Sequence, residues 1–499
     1  MTQTISNAIA WWARMRGNQD AVVLGGESLT YAEYKDWSDR VAAMLISNGL
    51  KAGDRVGICS ANSLAYVALI MGTIRAGGIV SPINFRYTSR EIADLCETTE
   101  PTIVFSATEQ LEQMTNAGLE PRPMTEIELL RNGDSAHVPH DPDPDAAVVI
   151  IATSGSTAKP KGVVFTNRSM TSYAANWAIE ETTTGPGSRI ISLAPLNTSA
   201  GFVQLVHYTT QGCTLYMEPQ FVALRALKLI EEHRITCFAA VPAFFEFIAA
   251  LPEFATADLS SIRLATAGGA RVSRQLLDTY KAKGITLRQI YGQTEVGGNA
   301  TIMPEHLAME SPEKCGWGGV FIDIRVVRSD DSDCDPGEPG EIIMRSPGMM
   351  TKYWRNPEET AKALRNGWLY SGDIGSLDEN GMLTFIDRMK DLIISGGLNI
   401  SAAEVERIVC EFPGILEALV IAAPDPKFGE TPFAIYHGPH EIDVSALIRY
   451  CDENLSNYKV PRYVAFSPDP LPRLATGKLS KPAVRDLYTG AHERLPRVR

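Results

Sequence analysis

The sequence predicts an α/β protein of two domains. One is a large N-terminal domain of parallel and mixed sheets sandwiched by helices; the other is a small α+β C-terminal domain. Three observations carry this reading. Strand-length apolar runs alternate with helix-length amphipathic segments through the first half. The 499 residues make roughly three structural units at ordinary domain size, enough to bury sizeable cores. Near Asp387 the pattern shifts to shorter strands and helices.

The elements follow in order. In "AEYKDWSDRVAAMLISNGL" the residues Trp37, Val41, Met44, Leu45 and Asn48 fall at helical spacing, and Gly49 stops the helix. "DRVGICS" reads as a strand, "SLAYVALIMGTIRAGG" as a helix ended by two glycines, and "IVSPIN" as the next strand. This βαβ rhythm implies a parallel sheet with helices on its faces. "HVPHDPDPD" reads as a surface linker. His137 and His140 within it have no neighbouring Cys or further His, so they make no metal-ligand pattern. "FIDRMKDLIISGGLNISAAEVERIV" runs strand, turn, strand, helix, with Ser401 and Glu404 spaced as a capping box. "ALVIAAPD", "DVSALIRYCDENL" and "RYVAFS" complete a short α+β pattern. The domain boundary is expected between Asp387 and Asp391.

Composition narrows the class. The chain is 44% hydrophobic and 21% charged, as in ordinary soluble proteins, and its net charge of −13 argues against a nucleic-acid or anionic-membrane binder. The N-terminal residues lack a secretory pattern, and no apolar run reaches the ~18 residues of a membrane span. Eight scattered cysteines without Cys-x-x-Cys read as reduced thiols of a cytoplasmic protein. A homodimer is compatible with the sequence.

"TSGSTAKPKG" (Thr153–Gly162) follows the buried-strand pattern "AAVVIIA". Glycines permit close backbone approach, and hydroxyls, amides and a lysine suit phosphate oxygens. A Walker A loop is excluded, because Lys161 precedes the second glycine instead of following it. "ATGKLS" fails the same test, and no Gly-x-Gly-x-x-Gly follows the first strand. Further small-residue turns stand at "ATAGGAR", "YGQTE", "WLYSGDIG" and "PRLATGKLSK".

"TSGSTAKPKG", "YGQTE", "YSGD", "DRMKDLIISGGLNI" and "PRLATGK", in this order and at these separations, resemble the adenylate-forming superfamily. That group holds acyl- and aryl-CoA synthetases, luciferases and peptide-synthetase adenylation domains. "LTYAEYKDWSDRVAAMLISNGLKAGDRVGI" resembles its N-terminal pattern, so the likeness runs from about Asp20 to Leu487.

The resemblance implies that Mg-ATP activates a small-molecule carboxylic acid as acyl-AMP with loss of pyrophosphate, and that a thiol then displaces AMP. Thr153, Ser154, Gly155, Ser156, Thr157 and Lys161 would hold the β- and γ-phosphates; the family usually has Gly where Ala158 stands. Tyr291, with Gly292 and Gln293, would pack on the adenine beside the backbone of Gly268, Gly269 and Ala270. Thr294 would touch the α-phosphate, and Glu295 would ligate Mg²⁺. Asp373 and Arg388 match the ribose contacts. Lys478 matches the mobile lysine that offsets charge during adenylation. The resemblance also makes Lys390 the hinge between an N-terminal domain 1–389 and a mobile C-terminal domain 390–499.

Three readings of the second step compete. A non-catalytic relative is disfavoured because Glu295, Asp373 and Lys478 are all present. An enzyme loading a carrier protein remains open, although amino-acid activators carry an Asp where this chain has Ser199. A CoA ligase is favoured: Ser395, Gly396 and Gly397 resemble the pantetheine-channel turn, Phe428 and Tyr458 match aromatics beside the CoA adenine, and Lys459 and Arg462 would meet its phosphates. For the acid, Thr198 stands where CoA ligases commonly have His or an aromatic. Phe244, Phe245, Thr266 and Gly297 would line the rest of the acyl pocket.

Overall fold

A computed structural model describes residues 3–138, 143–153, 160–474 and 478–499. The described chain forms two compact units. One comprises Met1–Ile324 with Met344–Tyr370, the other Arg325–Ile343 with Ser371–Arg499.

In the first unit, the strands Arg55–Cys59, Ile79–Ile83 and Ile103–Ser106 pair in parallel, and Ile79–Ile83 also pairs in parallel with Ala147–Thr153. The helix Leu64–Arg75 between the first two is buried on nearly every face, which suits its unbroken apolar sequence. The expected βαβ rhythm is therefore present. A second, larger sheet has a parallel centre, where Arg189–Ser192, Cys237–Ala240, Leu264–Gly268 and Leu287–Gln293 lie side by side. Antiparallel strands Gly298–Ile302 and Trp317–Gly318 continue it. Phe238, Phe245, Tyr280 and Leu287 fill the core between this sheet and its helices. Ligands of open α/β sheets bind beyond the carboxyl ends of parallel strands. Here those ends carry Gly268–Ala270 and Tyr291–Glu295.

The second unit contains the antiparallel pair Trp368–Leu377 and Leu383–Arg388, from Ser371 onward. It also holds a sheet in which Gly429–His437 pairs with Glu417–Asp425, Ile393–Ser395 and Tyr463–Ser467. The helices Ala402–Cys410 and Val444–Asn454 cover that sheet through Val405, Ile408, Leu447 and Cys451. Lys390 falls inside this unit, where Asp387 at the end of Leu383–Arg388 bonds Ser401 and Ala403 of the segment that follows.

Candidate active site

Thr153 and Lys161 close the glycine-rich loop as cross-strand partners. Ser154, Gly155, Ser156, Thr157 and Ala158 lie outside the described residues, as does His140. Gly162 is required by space: a Cβ there would stand 2.6 Å from Ile150 Cγ2. Lys161 Nζ donates to the Glu359 carboxylate and lies 5.1 Å above the Tyr353 ring. Tyr353 in turn donates its hydroxyl to Glu295 Oε1 at 2.9 Å. Glu359 also accepts from Lys362 at 2.6 Å. Lys161 first, then Lys362, push its carboxyl down to about 2. Burial, with the Glu295 charge second, holds the Tyr353 phenol far above its ordinary value, so it stays a donor. One chain of contacts thus links the loop lysine to Glu295.

The turn carrying Glu295 is shaped by glycines. A Cβ on Gly292 would meet Gly298 O at 2.0 Å, where the ladder between the two strands slips register. Gly297 has φ +96°, and its N–H bonds Thr294 O at 2.9 Å. Glu295 O accepts the Met350 N–H at 2.8 Å, which anchors the backbone at the carboxylate. Tyr291 is buried, and Gln293 Nε2 is a buried donor with no acceptor among the described residues. Such an orphaned donor is costly unless a ligand satisfies it. Gly268 packs against Ile290, and Gly269 turns at φ +82°. Ala270 is exposed.

In the second unit, Asp373 and Arg388 face each other directly across an antiparallel pair, with Arg388 Nε 3.5 Å from Asp373 Oδ1. Asp373 is buried; the Arg388 side chain is half exposed. Lys478 is within their electrostatic reach. Desolvation and then Arg388 lower its pKa, against a smaller opposing effect of Asp373. Lys390 lies exposed in the turn Met389–Asp391. On one side, buried Asp387 accepts from Ser401 Oγ at 2.8 Å and from the Ala403 N–H at 2.9 Å. On the other, Asp391 pairs with Arg485 at 2.7 Å.

The residues expected to line the acyl pocket divide by surroundings. Thr198 caps the helix Ser199–Thr210: its hydroxyl donates to Pro195 O at 2.7 Å and accepts the Gly201 N–H at 3.2 Å. Thr266 lies in the middle of the strand Leu264–Gly268, and Gly297 closes the turn after Glu295. Phe244 is half-buried and stacks on Phe221 at 4.1 Å. Phe245 is fully buried against Phe238 and Tyr280, so its ring is committed to the core.

Of the residues expected to meet CoA, Gly396, Phe428 and Arg462 come together. Gly396 N–H donates to Phe428 O at 2.7 Å, and the Arg462 guanidinium lies 4.3 Å from the Phe428 ring centre. Ser395 is buried, and Gly397 is exposed at φ +81°. Lys459 Nζ is engaged by both oxygens of Glu404, at 2.7 and 2.8 Å. Tyr458 packs against the core beneath the helix Ala402–Cys410.

Tyr353, Glu359, Asp387 and Asp425 were missed by the sequence reading. "NPEET" carries a helix-start signal, and Asn356 does cap the helix Pro357–Ala363. An acidic residue three past a cap ordinarily turns back to it. Glu359 turns instead to Lys161, 198 positions away, which no local pattern reveals.

A loop lysine tied to a carboxylate, a glycine turn beyond the carboxyl ends of parallel strands and, in the second unit, a paired Asp and Arg near a desolvated lysine stand on the motifs that resemble the adenylate-forming superfamily. The chain belongs to the AMP-binding enzyme family: residues 9–354 match the AMP-binding enzyme model and residues 404–478 match the AMP-binding enzyme C-terminal domain. It is 32% identical over 472 residues to the long-chain-fatty-acid–CoA ligase FadD13 of Mycobacterium tuberculosis, covering 92% of this chain and 93% of that one. It is 34% identical over 493 residues to a feruloyl-CoA synthase of Amycolatopsis, covering 95% and 96%. Among solved structures, the o-succinylbenzoate CoA synthetase MenE of Bacillus subtilis, in complex with ATP and magnesium ion, superposes with a TM-score of 0.86. That match has 27% identity and covers 95% of this chain and 98% of that one.

Proposed function

We propose that the chain is an ATP-dependent, AMP-forming acyl- or aryl-CoA ligase. Carboxylate and ATP give acyl-AMP and pyrophosphate; CoA then gives acyl-CoA and AMP. The observation that carries this reading is the Lys161–Tyr353–Glu295 chain, which presents a cation and a carboxylate from one compact unit. An already ionised acid needs no general base, so the protein supplies position and charge. Lys161 draws the outer phosphates, Gln293 Nε2 finds its missing acceptor in the nucleotide, and Asp373 with Arg388 receives the ribose. Lys478, protonated, offsets the charge on the α-phosphate and the attacking carboxylate.

The donor set fits Mg²⁺ brought in with ATP. Glu295 gives one oxygen to Tyr353 and keeps the other, and Mg²⁺ ordinarily takes one or two carboxylates besides phosphates and waters. When bound, the ion neutralises phosphate charge. Among the described residues no three His, Cys, Asp or Glu side chains cluster into a metal cage.

For the second step, Phe428, Arg462 and the Ser395–Gly397 turn form the face that receives CoA, with residues 390–499 changing position about Lys390. The alternative acceptor is a carrier-protein thiol. The eight cysteines are free thiols, and no helix among the described residues is long and apolar enough to cross a membrane; we place the protein in the cytoplasm.

The test is pyrophosphate release over a panel spanning long-chain fatty acids and hydroxycinnamic acids, with Mg²⁺, and with CoA or a pantetheinylated carrier. Acid-dependent pyrophosphate and acyl-CoA are expected. Formation of ADP and phosphate would overturn the adenylate mechanism, and transfer to the carrier alone would overturn the CoA assignment. Lys478→Ala should cripple acyl-AMP formation and spare thiolysis of supplied acyl-AMP.

A further inference from the structure

The turn that presents Phe428 is organised by a buried carboxylate. Asp425 Oδ1 accepts the N–H groups of Lys427 and Phe428, each at 2.9 Å. The Asp425 side chain is wholly buried, and its other oxygen lies 3.0 Å from the Arg497 guanidinium. Despite the desolvation, the two N–H bonds, with help from Arg497 and Arg462, hold its carboxyl below the ordinary value. A carboxylate buried this deeply keeps its place only while it is paired.

The second support of Phe428 is Arg462. Its guanidinium lies over the ring and donates to Thr431 Oγ1 at 2.9 Å. Its backbone is tied on both sides: Arg462 N–H donates to Pro432 O at 3.0 Å, and Arg462 O accepts the Val498 N–H at 3.0 Å. Two consecutive residues, Arg497 and Val498, therefore reach both supports of one half-buried aromatic ring. The segment is itself held down. Arg499 pairs with Asp452, Arg497 Nε donates to Arg499 O at 2.8 Å, and Val498 packs on the core beside Tyr458.

We propose that the segment Arg497–Arg499 is a positioning element of the CoA step, bracing Phe428 through Asp425 and Arg462. The inference rests on the reading that CoA stacks on Phe428. Arg497 fixes the carboxylate that shapes the turn, and Val498 fixes the backbone of the arginine that covers the ring. The face so built carries Lys427 and Arg462 around an aromatic ring, which suits an adenine bearing phosphates.

The experiment uses four full-length variants: Arg497→Ala, Arg497→Lys, Val498→Pro and Phe428→Ala. Proline removes the Val498 N–H but also fixes φ, restrains Arg497 and changes the side chain packed on the core, so it is read beside Arg497→Ala. Acid-dependent pyrophosphate exchange and transfer from preformed acyl-AMP to CoA are measured separately. Arg497→Ala and Val498→Pro should raise the KM for CoA about tenfold, as loss of one supporting contact predicts, with kcat of transfer and the exchange rate within about twofold. Arg497→Lys, which keeps the charge, should recover most of the loss. A parental KM for CoA in both tail variants, beside a raised KM in Phe428→Ala, overturns the brace and leaves CoA on Phe428. Equal loss of both half-reactions overturns it as well, by making the tail a general stabiliser. A parental KM in Phe428→Ala overturns the placement of CoA and the brace together.

Discussion

Tyr353 occupies one oxygen of Glu295, and a phenol has only one proton to give. The other oxygen is thereby aimed while the first is held. Tyr353→Phe keeps the ring under Lys161 and removes only that bond. It should weaken Mg²⁺ binding in the presence of ATP by roughly five- to tenfold, about 1 kcal/mol, read by calorimetric titration and by the Mg²⁺ dependence of pyrophosphate release. Unchanged Mg²⁺ dependence would leave Tyr353 a packing residue. Lys478 allows a second test. Desolvation and Arg388 depress its pKa, so it loses its proton at a lower pH than an ordinary lysine, whose value is 10.5. Adenylation at saturating ATP should fall on the alkaline side below that value. Arg388→Ala removes a like charge and should move the midpoint up; Asp373→Asn removes an opposite charge and should move it down. Identical profiles in all three proteins would exclude Lys478 as the titrating group. The residue types at these positions were legible in the sequence, because each sits in a short motif. Their couplings were not, because Lys161 meets Glu359 and Tyr353 meets Glu295 only through the fold.

Elements carry the next layer of positioning. The helix Asn167–Glu180 presents Tyr173, Asn176 and Glu180 at positions i, i+3 and i+7 of one face. Tyr173 accepts the Asn299 N–H at 3.0 Å, Asn176 accepts the Phe321 N–H at 2.8 Å, and Glu180 accepts the Val320 N–H. Glu181, which caps the helix, pairs with Arg288 at 2.5 Å. One helix therefore aligns the strands on either side of Tyr291–Gly297. Burial raises the Glu180 carboxyl to about 7. A raised carboxyl contributes stability that is full below its ordinary 4.5 and is lost as pH climbs through about 7. Glu180→Gln should therefore raise Tm at pH 8, by roughly 1–2 kcal/mol of stability after screening, and change it little at pH 4. An equal shift at both pH values would mean that the carboxyl does not titrate in this range. The helices themselves were readable from periodicity and caps. Two details were not. Thr198 was read for its place beside the acid, yet it also caps a helix, so Thr198→His should narrow the acid range and cost about 1 kcal/mol of stability. The Ser401 cap is present, but Glu404 bonds Lys459 in place of closing the box.

At the scale of the whole molecule, motif order told the family and the two-part architecture. The membership of the second unit was hidden, because Arg325–Ile343 joins Ser371–Arg499 across a stretch belonging to the first. Strand pairing between distant segments leaves no local trace. Lys390→Pro tests the proposed hinge. With φ fixed near −65°, acyl-AMP formation should persist within about tenfold, or ~1.4 kcal/mol of barrier, while thioester formation falls by orders of magnitude more. Parental thioester formation would place the hinge elsewhere. Turning at Lys390 would not separate the two compact units; it would divide the second one internally. Asp387 lies before the turning point, yet its carboxylate holds the Ser401 hydroxyl and the Ala403 amide at the start of the helix Ala402–Cys410. With the proposed hinge at Lys390, those bonds would open as the chain passes from one half-reaction to the other. The Ala403 amide proton thus becomes a counter of turns: its exchange with deuterated solvent should quicken when CoA and an unreactive acyl-AMP analogue are both bound. In Lys390→Pro it should stay slow under the same conditions.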